Sequence, residues 1–168
     1  TLVYLSSAHG LESGDLIFDL IINTDAEQAD DYKNNWAASV AYRTEIWDWD
    51  WAFNVVLGDN EDDEDENGDR KGLFGGLVIQ PSKFIWEDKL ELVGRYYFQA
   101  SSGEAGIGVN SRYSRGALGN DGRGDLHNSV YAGLNYYFCG DRAKVMTGVE
   151  YETLSTPDAN NNATTFWS

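Results

Sequence analysis

Trp47-Asp48-Trp49-Asp50-Trp51-Ala52-Phe53-Asn54-Val55-Val56-Leu57 alternates with a period of two. Every odd position is large and apolar. Every even position except Val56 is acidic, amide or small. In an extended strand, successive side chains point to opposite faces. One face of this segment is therefore apolar and aromatic, and the other is polar and charged. Neighbouring segments repeat the pattern, each near the ~9–11 residues that a strand needs to cross a bilayer. The pattern predicts an all-β fold: an antiparallel transmembrane β-barrel with lipid outside and water inside.

Period-two reading outward from this stretch places strands at 15–22, 36–45, 47–57, 73–81, 89–98, 129–138 and 143–153. A partial strand starts near Thr164, and Thr1–Leu5 end an earlier one, so about eight strands are visible. Leu16, Phe18, Leu20 and Ile22 form an outward set, as do Trp36, Ala38, Val40 and Tyr42. Leu90, Leu92, Tyr96 and Phe98 continue it, followed by Val130, Ala132, Leu134, Tyr136 and Phe138, then Val145, Val149 and Tyr151. The stretch 73–81 is apolar on both faces, so its pattern gives it no orientation. No long segment has helical periodicity.

The connections alternate in length. Tight turns are expected at Ile46, through Lys83–Asp88 and at Cys139-Gly140-Asp141-Arg142. Long polar loops are expected up to Asn35, up to Gly72, over Ser101–His127 and after residue 153. Outer-membrane barrels combine short periplasmic turns with long external loops, and carry aromatic girdles at both interfaces. Aromatic residues lie near several of these strand ends.

Composition narrows the function classes. A mean hydropathy of −0.47, with no apolar run near ~18 residues, argues against a helical membrane protein. Eighteen Gly and 14% aromatics against two Pro suit strands. The net charge of −16 argues against nucleic-acid binding. The single cysteine, Cys139, forms no intrachain disulfide.

Three hairpins, taken in order, resemble the phosphate-selective porin O/P family of outer-membrane channels. The first is Trp36-Ala-Ala-Ser-Val-Ala-Tyr-Arg43, then Trp49-Asp-Trp-Ala-Phe-Asn-Val55. The second is Gly75-Gly-Leu-Val-Ile-Gln80, then Asp88-Lys-Leu-Glu-Leu-Val-Gly-Arg-Tyr96. The third is Tyr131-Ala-Gly-Leu-Asn-Tyr-Tyr-Phe138, then Ala143-Lys-Val-Met-Thr-Gly-Val-Glu-Tyr151. The likeness spans about Asn35 to Ser168. It implies a sixteen-stranded, water-filled barrel, usually trimeric, in the bacterial outer membrane. On that reading, residues 1–168 are one β-barrel domain, incomplete at both ends; a complete eight-stranded barrel is the rival.

Strand parity gives the candidate pore-lining charges: Asp15, Asp19, Arg43, Glu45, Asp48, Asp50, Glu91, Arg95, Lys144, Glu150 and Glu152. Acidic groups outnumber basic ones, which favours cations in a pore. Arg112, Arg115 and Arg123 would join the lining if the long loop folds inward. The expected function is therefore passive diffusion of small polar or ionic solutes through a neutral or cation-preferring porin, without catalysis or cofactor. Lipid, lipopolysaccharide and solute are the expected partners. The alternatives are a phosphate- or anion-selective porin, a non-conducting binding or adhesion barrel, and a soluble extracellular β-protein. Each lumen charge could equally form a wall salt bridge that contributes ~0–1 kcal/mol.

Asp63-x-Asp65-x-Asn67-Gly68 matches the first half of an EF-hand-type Ca²⁺ loop. Phe74 stands where the bidentate Glu belongs. The plain reading of this acidic run is a solvated loop, and the alternative is a weak Ca²⁺ site at Asp63, Asp65 and Asn67. His9 and His127, the only histidines, are expected in polar connections, and no nucleophile motif accompanies them.

Overall fold

The computed structural model describes residues 2–23, 34–60, 72–103, 106–109, 112–118, 122–139, 143–155 and 160–167. Period-two segments become strands of one antiparallel sheet. They are β1 (Leu2–Leu11), β2 (Gly14–Asn23), β3 (Asn34–Ile46), β4 (Trp49–Asn60), β5 (Gly72–Trp86) and β6 (Leu90–Ser101). The long connection after β6 holds β7 (Ile107–Gly108), α1 (Arg112–Leu118) and β8 (Arg123–Gly124). The sheet resumes with β9 (Leu126–Tyr137), β10 (Lys144–Ser155) and β11 (Asn160–Trp167).

The nine long strands lie in the order β1-β2-β3-β4-β5-β6-β9-β10-β11, and β7 pairs separately with β8. Every neighbour in the large sheet is antiparallel. The all-β expectation holds. Closure into a barrel is not seen: among the described residues, β1 and β11 are the two edges and do not pair with each other.

Register carries the two-faced pattern across the sheet. On the apolar face, Phe18 pairs with Val40, Val40 with Val55, Val55 with Leu77, and Leu77 with Phe98. One row along, Leu16, Tyr42, Phe53, Ile79, Tyr96, Val130 and Tyr151 pair in succession. This orients 73–81: Leu77 and Ile79 join the apolar face, and Val78 and Gln80 join the polar one.

Several boundaries differ from the sequence reading. Trp47 and Asp48 are not strand residues. Both have left-handed backbone, at φ 55° and 59°, and they make the two-residue hairpin turn whose twist suits antiparallel strands. The next turn is not at Lys83–Asp88. β5 runs on to Trp86, and the reversal falls on Glu87 and Asp88, closed by Lys89 N–H donating to Trp86 O at 2.8 Å. A bulge between Phe84 and Trp86 switches parity. Phe84 therefore meets Tyr137 on the polar face, whereas Trp86 meets Tyr136 on the apolar face. The last long loop also shrinks, because Asn160–Asn162 already pair with β10 and leave only 156–159 between the strands. Length alternation therefore fails at its final step. The short helix α1 had no counterpart in the sequence reading.

Two facing glycines thin the wall. Gly133 and Gly148 are register partners on the polar face. The Tyr131 side chain lies across both, and a Cβ at either glycine would fall within 2.5 Å of its hydroxyl oxygen. Any side chain there must displace the ring. Gly148→Val is expected to destabilise the fold by about 1–3 kcal/mol, the usual result of overpacking. Ala132→Val, beside it on the open apolar face, should have little effect. Denaturant unfolding of the two variants checks this.

Candidate functional site

The polar face holds the charges picked out by strand parity. Asp15 pairs with Arg43, Asp19 with Ser39, Glu45 with Asp50 and Glu91 with Asn135. Arg95 pairs with Tyr131, which pairs with Glu150. Lys144 pairs with Tyr137 and Glu152 with Ser129. Asp48 does not join them. It sits in the β3–β4 turn with its side chain 87% exposed and its carboxylate 4.0 Å from Lys83 Nζ. Asp63, Asp65 and Asn67 lie outside the described residues. Among the described residues, no cluster of His, Cys, Asp or Glu could hold a metal ion.

The polar face has two electrostatic regions. On β2–β4, Asp15, Glu45 and Asp50 are exposed, with Arg43 as the neighbouring cation. Asp15, Arg43, Asp50, Gln80 and Ser82 border a cavity of about 400 Å³. On β6–β10 the carboxylates have fixed donors. Arg95 Nη2 donates to Glu150 Oε1 at 2.9 Å, and Ser129 Oγ donates to the same oxygen. Asn135 Nδ2 and Tyr137 OH donate to Glu91 Oε2 at 2.8 and 2.7 Å. The cations are held over rings: Arg95 stands 5.2 Å from the Tyr131 centroid, and Lys144 5.4 Å from that of Tyr137. A second cavity of about 450 Å³ is lined by Gln80, Arg95, Tyr131, Asn135, Lys144 and Glu150 among others.

The long connection folds onto this face. Val109 and Leu118 bury against Leu154, a polar-face position of β10, and Leu118 and Leu154 are fully inaccessible. Gly124 lies flat on β10: a Cβ there would come within 2.3 Å of Ser155 O. Backbone bonds sew the segment down. Ser101 N–H donates to Asp125 O at 2.8 Å, and Asp125 N–H donates to Ser155 O at 3.0 Å. Two side-chain amides of the wall reach it as well. Asn60 Nδ2 donates to Gly106 O at 3.0 Å, and Gln99 Nε2 to Gly108 O at 3.4 Å. Of the three loop arginines, Arg115 is exposed on α1 and Arg123 lies in β8.

Beneath this cover is a third cavity of about 430 Å³, lined by Gln99, His127, Ser129, Glu150 and Glu152 among others. His127 is therefore not in a connection. It is a β9 residue, 3% exposed, on the polar face. His9 is also a strand residue, in β1 opposite Leu16, and it is exposed. The sequence reading started β9 at residue 129 and so missed His127. Extending the parity of Ser129 by one step would have placed it. Asn60, Gln99 and Ser129 gave no charge signal.

No protein-family model matches the chain, and no curated protein or solved structure matches it.

The Arg95–Glu150 pair gives a direct check on this geometry. Arg95 is 39% exposed, so solvent screens part of the attraction. Glu150→Gln and Arg95→Met should each destabilise by about 1–3 kcal/mol. The double variant should fall short of the sum by about 1 kcal/mol. Unfolding measurements on the four proteins of the cycle test this.

Proposed function

We propose that this chain forms the wall of an outer-membrane pore for passive diffusion of small polar or ionic solutes. One observation carries the reading: the apolar face of the sheet is exposed, while the polar face is buried over β9 and β10. Asn60, His127, Ser129, Asn135, Glu150 and Glu152 are buried, whereas Val40, Val55, Leu57, Val130, Val145 and Val149 are 38–55% exposed. Burying a Val, Leu or Phe side chain completely contributes ~1.5–3 kcal/mol. Leaving about ten of them half in water forgoes on the order of 10 kcal/mol, comparable to the ~5–15 kcal/mol stability of a whole domain. A bilayer removes that cost.

The apolar face has the layering that a bilayer favours. Val40, Val55, Leu77 and Val130 stand in the middle rows. Trp49, Trp51, Trp86, Tyr136 and Phe138 lie toward the short turns, and Trp36 toward the other end. Tyr96 OH donates to Asn128 Oδ1 at 3.1 Å on the same face, a polar anchor suited to headgroup depth. The likeness of the β3–β4, β5–β6 and β9–β10 hairpins to the phosphate-selective porin O/P family supports the same reading. Unpaired backbone is not tolerated in lipid, so β1 and β11 must find partners in each other or in further strands. A trimer in the bacterial outer membrane, contacting lipid and lipopolysaccharide, is the assembly proposed.

Exposed Asp15, Glu45 and Asp50 set the charge preference. The cations Arg95 and Lys144 are engaged with a carboxylate and an aromatic ring, respectively. The pore is therefore proposed to favour cations or to be neutral, with no catalytic step. Recording from planar bilayers across a KCl gradient tests it. Stable steps with a cation-leaning reversal potential are expected, and Asp15→Asn with Asp50→Asn should move that potential toward anions. Steps blocked by phosphate would replace this preference with anion selectivity. A folded protein that gives no steps would overturn the channel reading.

A further inference from the structure

The Gln99 amide joins the covering loop to the wall, and its donors and acceptors are fully determined. Its Oε1 accepts from Tyr97 OH at 2.9 Å, and its Nε2 donates to the loop carbonyl of Gly108. The second proton on Nε2 faces His127 Nδ1 at 3.3 Å. A carbonyl only accepts and an amide nitrogen only donates. His127 Nδ1 must therefore be the bare, accepting nitrogen, and the proton of the neutral ring sits on Nε2. That Nε2 makes no hydrogen bond and points toward Glu152 Oε1, 3.8 Å away.

This arrangement tolerates only one charge state of His127. Protonation puts a hydrogen on Nδ1, which then confronts the Gln99 amide hydrogens donor to donor. Turning the Gln99 amide over to present Oε1 removes the conflict with His127. It also brings a carbonyl against Gly108 O, so the bond to the loop is lost, while Tyr97 OH can accept from the turned amide nitrogen. The charged ring is meanwhile drawn toward Glu152. We propose that His127 and Gln99 form a proton-operated latch: the neutral histidine holds the 106–109 segment on the polar face, and the protonated one releases it.

The charged and titratable groups sharing the cavity are Arg95 and Tyr97 from β6, and Glu150 and Glu152 from β10. β5 contributes only Val78 and Gln80, and the loop only Gly108 and Val109. Glu150, which holds Arg95 at 2.9 Å, and Glu152, whose Oε1 lies 3.8 Å from His127 Nε2, are the two carboxylates on the His127 side of the cavity. The latch concerns the position of the loop. Its effect on solute flow rests on the channel reading above.

Amide hydrogen exchange on the folded protein in detergent micelles, corrected for intrinsic rates, separates the two. As the pH is lowered from about 8 to about 4.5, protection of residues 106–109 should fall about tenfold, as expected when one or two hydrogen bonds are lost. Protection of β9 and β10 should stay unchanged. His127→Gln, which can still accept from Gln99 but cannot titrate, should keep the loop protected at both pH values. Gln99→Leu should lower its protection about tenfold at both. Loop protection independent of pH in the wild-type chain would overturn the latch, as would an equal loss in His127→Gln. Loop release in a protein that gives no conductance at either pH would leave the latch standing and count against the channel.

Discussion

Antiparallel backbone hydrogen bonding, held in register over nine strands, is the constraint on which the rest of this structure depends. Side chains alternate along each strand, so a one-residue slip would move a whole strand's apolar set to the other face. The register found here puts Val40, Val55 and Leu77 in one apolar row, and Arg95, Tyr131 and Glu150 in one polar row. The bulge at Phe84/Trp86 follows the same rule. It inserts one residue where the sequence would otherwise turn Trp86 to the polar side.

Much of this was legible in the sequence because the signal is local. The run from Trp49 to Leu57 has a period of two, and so do 129–138 and 143–153. Their faces came out as read. The errors fell where geometry is set by something other than periodicity. Trp47 and Asp48 continue the alternation perfectly, yet they form the turn. A left-handed backbone at a Trp is unusual, and nothing in the residue types signals it. The double-sided apolar stretch 73–81 could be oriented only through its neighbours. Strand ends were cut short wherever a polar residue looked like loop, and His127 was lost in that way.

The candidate site was legible in part. Charge is visible in a sequence, so Arg95, Glu91, Glu150 and Glu152 were found. Arg95 and Glu150 hold each other, but the further partners of Glu150 and Glu91 are neutral: Ser129, Asn135 and Tyr137. These pairs join residues 21 to 55 positions apart, brought together by sheet order. The placement of the long connection was not legible at all. It is fixed by Leu118 and Val109 meeting Leu154, and by two side-chain amides reaching backbone carbonyls. The carbonyls belong to Gly106 and Gly108, so this glycine-rich stretch serves as an attachment point for the wall.

The central claim is that lipid covers the apolar face. Tryptophan emission quenched by brominated acyl chains tests it most directly, because Trp36, Trp49, Trp51 and Trp86 all belong to that face. In vesicles of brominated phospholipid, the account predicts strong loss of emission compared with unbrominated lipid and, once the exposed turn residue is removed by Trp47→Phe, poor quenching by aqueous acrylamide. Emission that is untouched by the bromines would contradict it and would mean that protein, rather than lipid, covers the face.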